Sequence, residues 1–147
     1  MNQVETARKL FELIEMKNTS SALEMLTTDF SFSGPTPEPI NGQIWMAMHD
    51  KLNKAFPDWS FNMTGFHLHG DEVHGEVQIS GTHRGDLDLS LLGIPNVPAT
   101  GRRIQLPVES ITFKFQGDKI CAVEGESVPG GGAMGILGQI GVQMPVR

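Results

Sequence analysis

Apolar residues recur at helical spacing in three stretches before Pro57 and alternate at a period of two over most of the chain beyond it. Val4, Ala7, Leu10, Phe11 and Ile14 share one helical face, and Asn2 with Glu5 ahead of them forms a capping-box pair. Ser21 and Glu24 repeat that signature for a short helix over residues 22–26. Residues 28–32 read as a short strand, stopped by Gly34-Pro35-Thr36-Pro37-Glu38-Pro39, which cannot stay helical. From Gly42 a third helix runs to about Phe56, with Ile44, Met48, Leu52 and Phe56 four residues apart, and Pro57 ends it.

After Pro57 the pattern is that of strands. Residues 59–68 and 73–83 read as a hairpin about Gly70-Asp71. A long connection, 84–101, holds Leu87, Leu89, Leu91, Leu92 and Ile94 among prolines and glycines. In residues 106–126, Ile111, Phe113 and Phe115 alternate with Ser110, Thr112 and Lys114, and Cys121, Val123 and Gly125 alternate with Ile120, Ala122 and Glu124. Gln116-Gly117-Asp118 supplies the positive φ of a tight reversal between them. Helices first and antiparallel strands afterwards predict an α+β fold, with helices on one face of a curved sheet. The Gly130-Gly131-Gly132 run lacks the lysine of a phosphate loop and reads as a hinge. It would let the apolar segment 133–140 close over a pocket mouth, with Leu91 and Leu92 as the opposite lip.

A chain of 147 residues predicts one domain, 1–147, able to bury roughly 68–70% of its unfolded surface. Cys121 is the only cysteine, which rules out an intrachain disulfide and fits a reducing, cytoplasmic setting. Glu5, Arg8, Lys9 and Glu12 speak against an ordinary signal peptide, and no apolar run reaches membrane-span length. A net charge of −6 argues against nucleic acid as a partner.

Strand parity points to the candidate chemistry. Glu109 shares the parity of Ile111, Phe113 and Phe115, so in an unbroken strand its carboxyl enters the apolar interior. Burial there raises the pKa, as a general base or acid near neutral pH requires. The competing reading is a bulge at Pro107 that turns Glu109 to solvent. His83 shares parity with Val77 and Ile79 and reads either as a carbonyl-polarising or proton-relaying group, or as a turn histidine bonded to backbone. Across the Gly70-Asp71 turn, His67 faces His74, with His69 and Glu72 on the same side, a donor set suited to zinc or nickel. A polar outer face continued by Glu76, Gln78, Ser80 and Thr82 explains them without a metal, and none is expected. Asp58 reads as a turn cap. Trp45, Met46, Met48 and Trp59 are either pocket lining or core filler, and Phe113, Leu91 and Val123 complete the expected lining.

These residues bring a resemblance into view. Ala55-Phe56-Pro57-Asp58, Gly70-Asp71-x-Val73, Gly81-Thr82-His83-x-Gly85, Ala99-Thr100-Gly101-Arg102, Phe113-Lys114-Phe115 with Lys119-Ile120, and Leu137-Gly138-Gln139-Ile140-Gly141 occur in order over nearly the whole chain. The chain resembles the SnoaL-like polyketide cyclases of the NTF2-like superfamily. That resemblance implies a cone of three N-terminal helices on a curved mixed or antiparallel sheet, enclosing a pocket, with no metal or organic cofactor and a homodimer formed through the sheet. It also implies an intramolecular aldol ring closure, in which an Asp moves the proton and a His stands near the substrate. In alignment with those cyclases, Gly125 falls at the Asp position and Ile111 at the His position. The turn here is Gly-Asp-Lys rather than Asp-Gly-Lys, and a one-residue shift would bring Glu124 or Glu126 to the acid–base position. The expected function is acid–base cyclisation or isomerisation of a small apolar carbonyl compound, polyketide- or steroid-like, by Glu109 or a neighbouring glutamate with His83. The alternatives are a non-catalytic binder of small hydrophobic ligands, and an interaction module whose sheet face docks a partner protein.

Overall fold

Helix α1 (Gln3–Glu15) starts where the Asn2 side chain accepts a hydrogen bond from the Glu5 N–H at 2.8 Å. The Glu5 carboxylate returns to the Asn2 side-chain amide, so this capping pair closes through side chains. These details come from a computed structural model that describes residues 2–34, 36, 38–90 and 93–142. Helix α2 (Thr19–Glu24) is capped by Asn18, which accepts from the Ser21 N–H, so the expected Ser21 cap moves three residues upstream. Lys17, in the left-handed region at φ 64°, ends α1 and sets Asn18 in place for this role.

Helix α3 (Gly42–Ala55) is capped by Asn41 and buries Trp45, Met46, His49, Leu52 and Asn53. The expected stripe through Ile44 and Met48 is rotated by about one residue, and Ile44 is 40% exposed. Burying the Trp45 indole gains more than burying an isoleucine, and its rings pack on Phe30 and Phe32 at 5.2 and 4.9 Å.

Strands β1 (Leu26–Ser33), β2 (Thr64–His69), β3 (Glu72–Val77), β6 (Glu109–Gln116) and β7 (Lys119–Gly125) form one sheet in the order β1-β7-β6-β3-β2. β1 pairs parallel with β7 and the other pairs are antiparallel, so the sheet is mixed. Both hairpin turns are Gly-Asp with the glycine alone at positive φ, 68° at Gly70 and 64° at Gly117. Register irregularities between β1 and β7, β2 and β3, and β6 and β7 curve the sheet around the helices.

The alternating run 73–83 is not one strand. It breaks at Gln78-Ile79, and β4 (Ser80–Thr82) pairs with β5 (Arg103–Gln105) in a separate two-stranded sheet. Ser60 and Ser80 exchange both backbone hydrogen bonds, while Gln78 N–H donates to the Phe61 carbonyl, so residues 59–63 lie outside β2. A period of two cannot reveal such a bend, because both pieces keep the alternation. A fourth helix, α4 (Gly132–Gln139), occupies the apolar segment near the end and buries Ile136 and Leu137. Gln139 holds it by bonding both the N–H and the carbonyl of Gln105 on β5.

Candidate active site

At one end of the sheet's inner face the core is solid. Phe113, fully buried, packs against Phe11 at 5.2 Å, and Phe11, stacked on Phe61 at 4.1 Å, carries that packing up to the cavity wall. Towards α4 the packing opens into a cavity of about 600 Å³. Trp45, Met48 and Leu52 wall it from α3, Val77 and Ile111 from the sheet, and Leu89 and Ile94 from the long connection. The first turn of α4 and the Gly130-Gly131-Gly132 run border it, so the segment read as a hinge forms part of the wall. A second hollow of about 620 Å³ is a surface groove lined by Lys17, Asp50, Lys51 and Lys54, side chains that stay largely in water.

Glu109 stands in this otherwise oily wall. It pairs with Val77 across β3, keeps the parity of Ile111, and is 6% exposed, so Pro107 does not turn it to solvent. Its Oε1 has no hydrogen-bond partner among the described residues. Gly131, the N-cap of α4, packs on it so closely that a Cβ there would lie 2.7 Å from Oε1. Burial raises the carboxyl above the usual value; the Gly132 N–H at the helix start opposes this, and the Glu126 carboxylate adds to it.

His49 enters the cavity from α3, and the sequence reading missed it. It is buried among the rings of Trp45, Phe61 and Trp59, at 5.3, 5.8 and 6.1 Å. Burial pushes its pKa down to about 4, against smaller upward pulls from the Trp45 carbonyl and Asp50. The ring is therefore neutral at physiological pH. Its Nδ1 lies 2.9 Å from the Trp45 carbonyl, which can only accept, so Nδ1 carries the proton and Nε2 is a bare acceptor. The available signal was the four-residue step from Trp45, hidden because the stripe was counted from Ile44. Trp59 supplies the complementary group, a buried Nε1–H with no partner among the described residues on a side chain that lines the cavity.

Among the expected site residues, Glu109, Trp45, Met48 and Trp59 line the cavity together. His83 does not. It is fully buried behind Phe56, whose ring is 5.3 Å from His83 and 6.0 Å from Trp59. His83 Nδ1 contacts the Thr100 N–H and hydroxyl, and its backbone bonds Arg102 and Gly101, so it ties the end of β4 to the strand-entry loop. Burial lowers its pKa against a pull from Asp86. Glu124 lies on the outer face opposite Thr112, in a half-exposed ion pair with Lys114 at 3.1 Å. Phe113 and Val123, cross-strand partners, are fully buried in the filled part of the core and do not reach the cavity. Leu91 and Leu92 lie outside the described residues. Asp58 caps β4: its two oxygens accept from the Thr82 N–H and hydroxyl at 2.6 and 2.8 Å. Gly125 and Ile111 face each other across the β6–β7 ladder and both line the cavity.

Comparisons with known proteins agree with this architecture. AclR from Streptomyces galilaeus, assigned as a hydroxylase, superposes with a TM-score of 0.72 at 15% identity, covering 93% of each chain. A protein of Jannaschia sp. CCS1 assigned as a SnoaL-like polyketide cyclase gives 0.73 at 16% identity, covering 96% of this chain and 92% of its own. IdmH from Streptomyces antibioticus, assigned as a polyketide cyclase, gives 0.69 at 20% identity, covering 96% of this chain and all of its own. At these identities the superpositions establish the NTF2-like fold alone. No curated protein matches the sequence. The model of the SnoaL-like polyketide cyclase family matches residues 4–125, most of the chain, and the protein belongs to that family.

Proposed function

We propose that the protein binds a small apolar carbonyl compound, polyketide- or steroid-like, and moves a proton next to its carbonyl without a cofactor. The observation that carries this reading is Glu109, a buried carboxyl with an unpartnered oxygen in the wall of an apolar cavity. Its carboxylate takes a proton from the carbon beside the carbonyl, and the electron pair of that C–H bond passes into an enolate. A raised pKa makes Glu109 a stronger base than an exposed glutamate, while dry walls strengthen every charge interaction around it.

The enolate oxygen needs a donor, and the Trp59 Nε1–H is the buried candidate on the cavity wall. His83 was expected in that role, but it sits behind Phe56. His49 Nε2 accepts from a hydroxyl of the bound compound and so orients it. The enolate carbon then attacks a second carbonyl, whose C=O electron pair moves onto its oxygen and takes the proton back from Glu109 as the ring closes. In a β,γ-unsaturated ketone the dienolate instead takes that proton from Glu109 at its γ-carbon, which is isomerisation.

The test is deuterium exchange beside the carbonyl in a panel of fused-ring and open-chain ketones. Wild-type protein catalyses it, and Glu109→Gln slows it by about 10²–10⁴-fold without lowering the thermal midpoint. Equal rates in the two proteins remove Glu109 from the mechanism. A second reading, binding without turnover, draws on Ile111 and Gly125, which occupy the cavity wall where the resemblance places the His and the Asp. It is favoured if the ketones quench tryptophan fluorescence saturably and no exchange occurs in either protein. We also propose a homodimer through the sheet; a monomer by sedimentation at micromolar concentration contradicts it.

A further inference from the structure

The β2–β3 hairpin carries a cluster that the cavity does not use. His67 and His69 lie two apart on β2, which puts both on one face, and His74 on β3 is the direct cross-strand partner of His67. One ring nitrogen from each of the three lies within 4.8 Å of the others. The rings of His69 and His74 stack at 4.5 Å, and those of His67 and His74 are 6.1 Å apart.

The groups behind these rings decide which nitrogens are free. His67 Nδ1 lies 2.7 Å from the Gly65 carbonyl, which can only accept, so Nδ1 carries the proton and Nε2 has its lone pair available. His74 Nε2 lies 3.0 Å from the Glu72 carboxylate, so it carries the proton and Nδ1 is available. His69 makes no side-chain hydrogen bond among the described residues, and either of its nitrogens can serve. A carbonyl behind one ligand ring and a carboxylate behind another is the arrangement that orients histidines on a metal and raises their basicity. A solvated polar face can carry the same bonds, so it is metal titration that separates the two readings left by the sequence.

We propose that His67, His69 and His74 bind one borderline divalent cation, Zn²⁺ above all, with Glu72 as the outer partner of His74 and a fourth coordination position open. Tetrahedral zinc at about 2.0–2.1 Å from each nitrogen sets neighbouring ligand nitrogens about 3.4 Å apart. Closing from 4.8 Å asks only for side-chain rotation, because His67 and His69 are exposed and His74 is partly so. Three imidazoles and no thiolate suit Zn²⁺, Co²⁺ or Ni²⁺ and disfavour the hard cations Mg²⁺ and Ca²⁺.

The experiment is calorimetric titration of metal-free protein with Zn²⁺ alone, paired with Co²⁺ absorption spectra. One ion per chain is expected, with the intense visible bands of tetrahedral Co²⁺. Glu72→Gln weakens binding by about 10–100-fold, and His69→Ala or His74→Ala weakens it further. Glu109→Gln, altered only in the cavity, binds as wild type does, and thermal melts of all variants in chelator coincide within a few degrees. Absence of saturable binding overturns the proposal. So do affinities that the histidine substitutions leave unchanged, and so does one ion per two chains, which would place the site between copies. Loss of binding in Glu109→Gln would relocate the metal to the cavity and equally overturn it.

Discussion

Burial raises the Glu109 carboxyl and lowers the His49 imidazole, so the two groups bend the stability curve in opposite senses. An unfolded chain binds a proton on His49 near 6.5 and the folded one only near 4, so acid favours unfolding across that window. At about 1.4 kcal/mol per unit, His49 contributes on the order of 3 kcal/mol at neutral pH that is lost as pH falls from 6.5 towards 4. In His49→Gln, which keeps a donor for the Trp45 carbonyl and cannot titrate, urea midpoints at pH 7 and pH 4.5 should lie closer together than in wild type. Glu109 works the other way. The folded chain holds its proton more tightly, so stability falls as pH rises from about 4.5 through the raised value, and Glu109→Gln should erase that decline. Base catalysis needs the ionised form, so exchange rates should climb through an apparent pKa above 4.5 in wild type. Parity in the strand pattern placed Glu109 on the inner face, because alternation survives the approach of Pro107. It could not rank His49, since a helical face is defined only after its most buried residue is known.

At the level of the elements, α4 and the glycines before it decide whether the carboxyl stays dry. Two of them make separable demands. A Cβ on Gly131 would lie 2.7 Å from Glu109 Oε1 and 3.0 Å from a Val128 methyl, both on side chains that can shift, with the Val128 carbonyl oxygen farther off at 3.3 Å, and Gly131 has an ordinary φ of −96°. Gly131→Ala should therefore cost activity, about 10–100-fold through a displaced carboxylate, with little change in melting temperature. A Cβ on Gly135 would strike the Gly130 carbonyl oxygen, which is backbone and cannot step aside. Gly135→Ala should unseat α4 and lower stability by about 1–3 kcal/mol. Similar stability losses in both variants would contradict this division of labour. The glycine run was legible as special in composition, and the apolar segment after it as a cover. That the cover is a docked helix rests on the Gln139 bonds to Gln105, a long-range pairing that no local pattern encodes.

For the whole molecule, the helix-then-strand order and the two Gly-Asp hairpins were enough to read an α+β fold with helices against a sheet. The parallel pairing of β1 with β7 and the transfer of β4 to a second sheet were not, since both depend on where strands meet rather than on their own periodicity. The cavity lies between α3, the sheet, the long connection and the start of α4, and it gives Glu109 its environment. Carbon-13 NMR titration of the glutamate side-chain carboxyls, with Glu109→Gln identifying the resonance, reads that environment without knowledge of the natural substrate. The expected result is one carboxyl titrating clearly above 4.5, whose signal moves when an apolar ketone is added and vanishes in the variant. A Glu109 that titrates at the ordinary value and ignores the ketone would contradict a buried acid–base group in a ligand cavity.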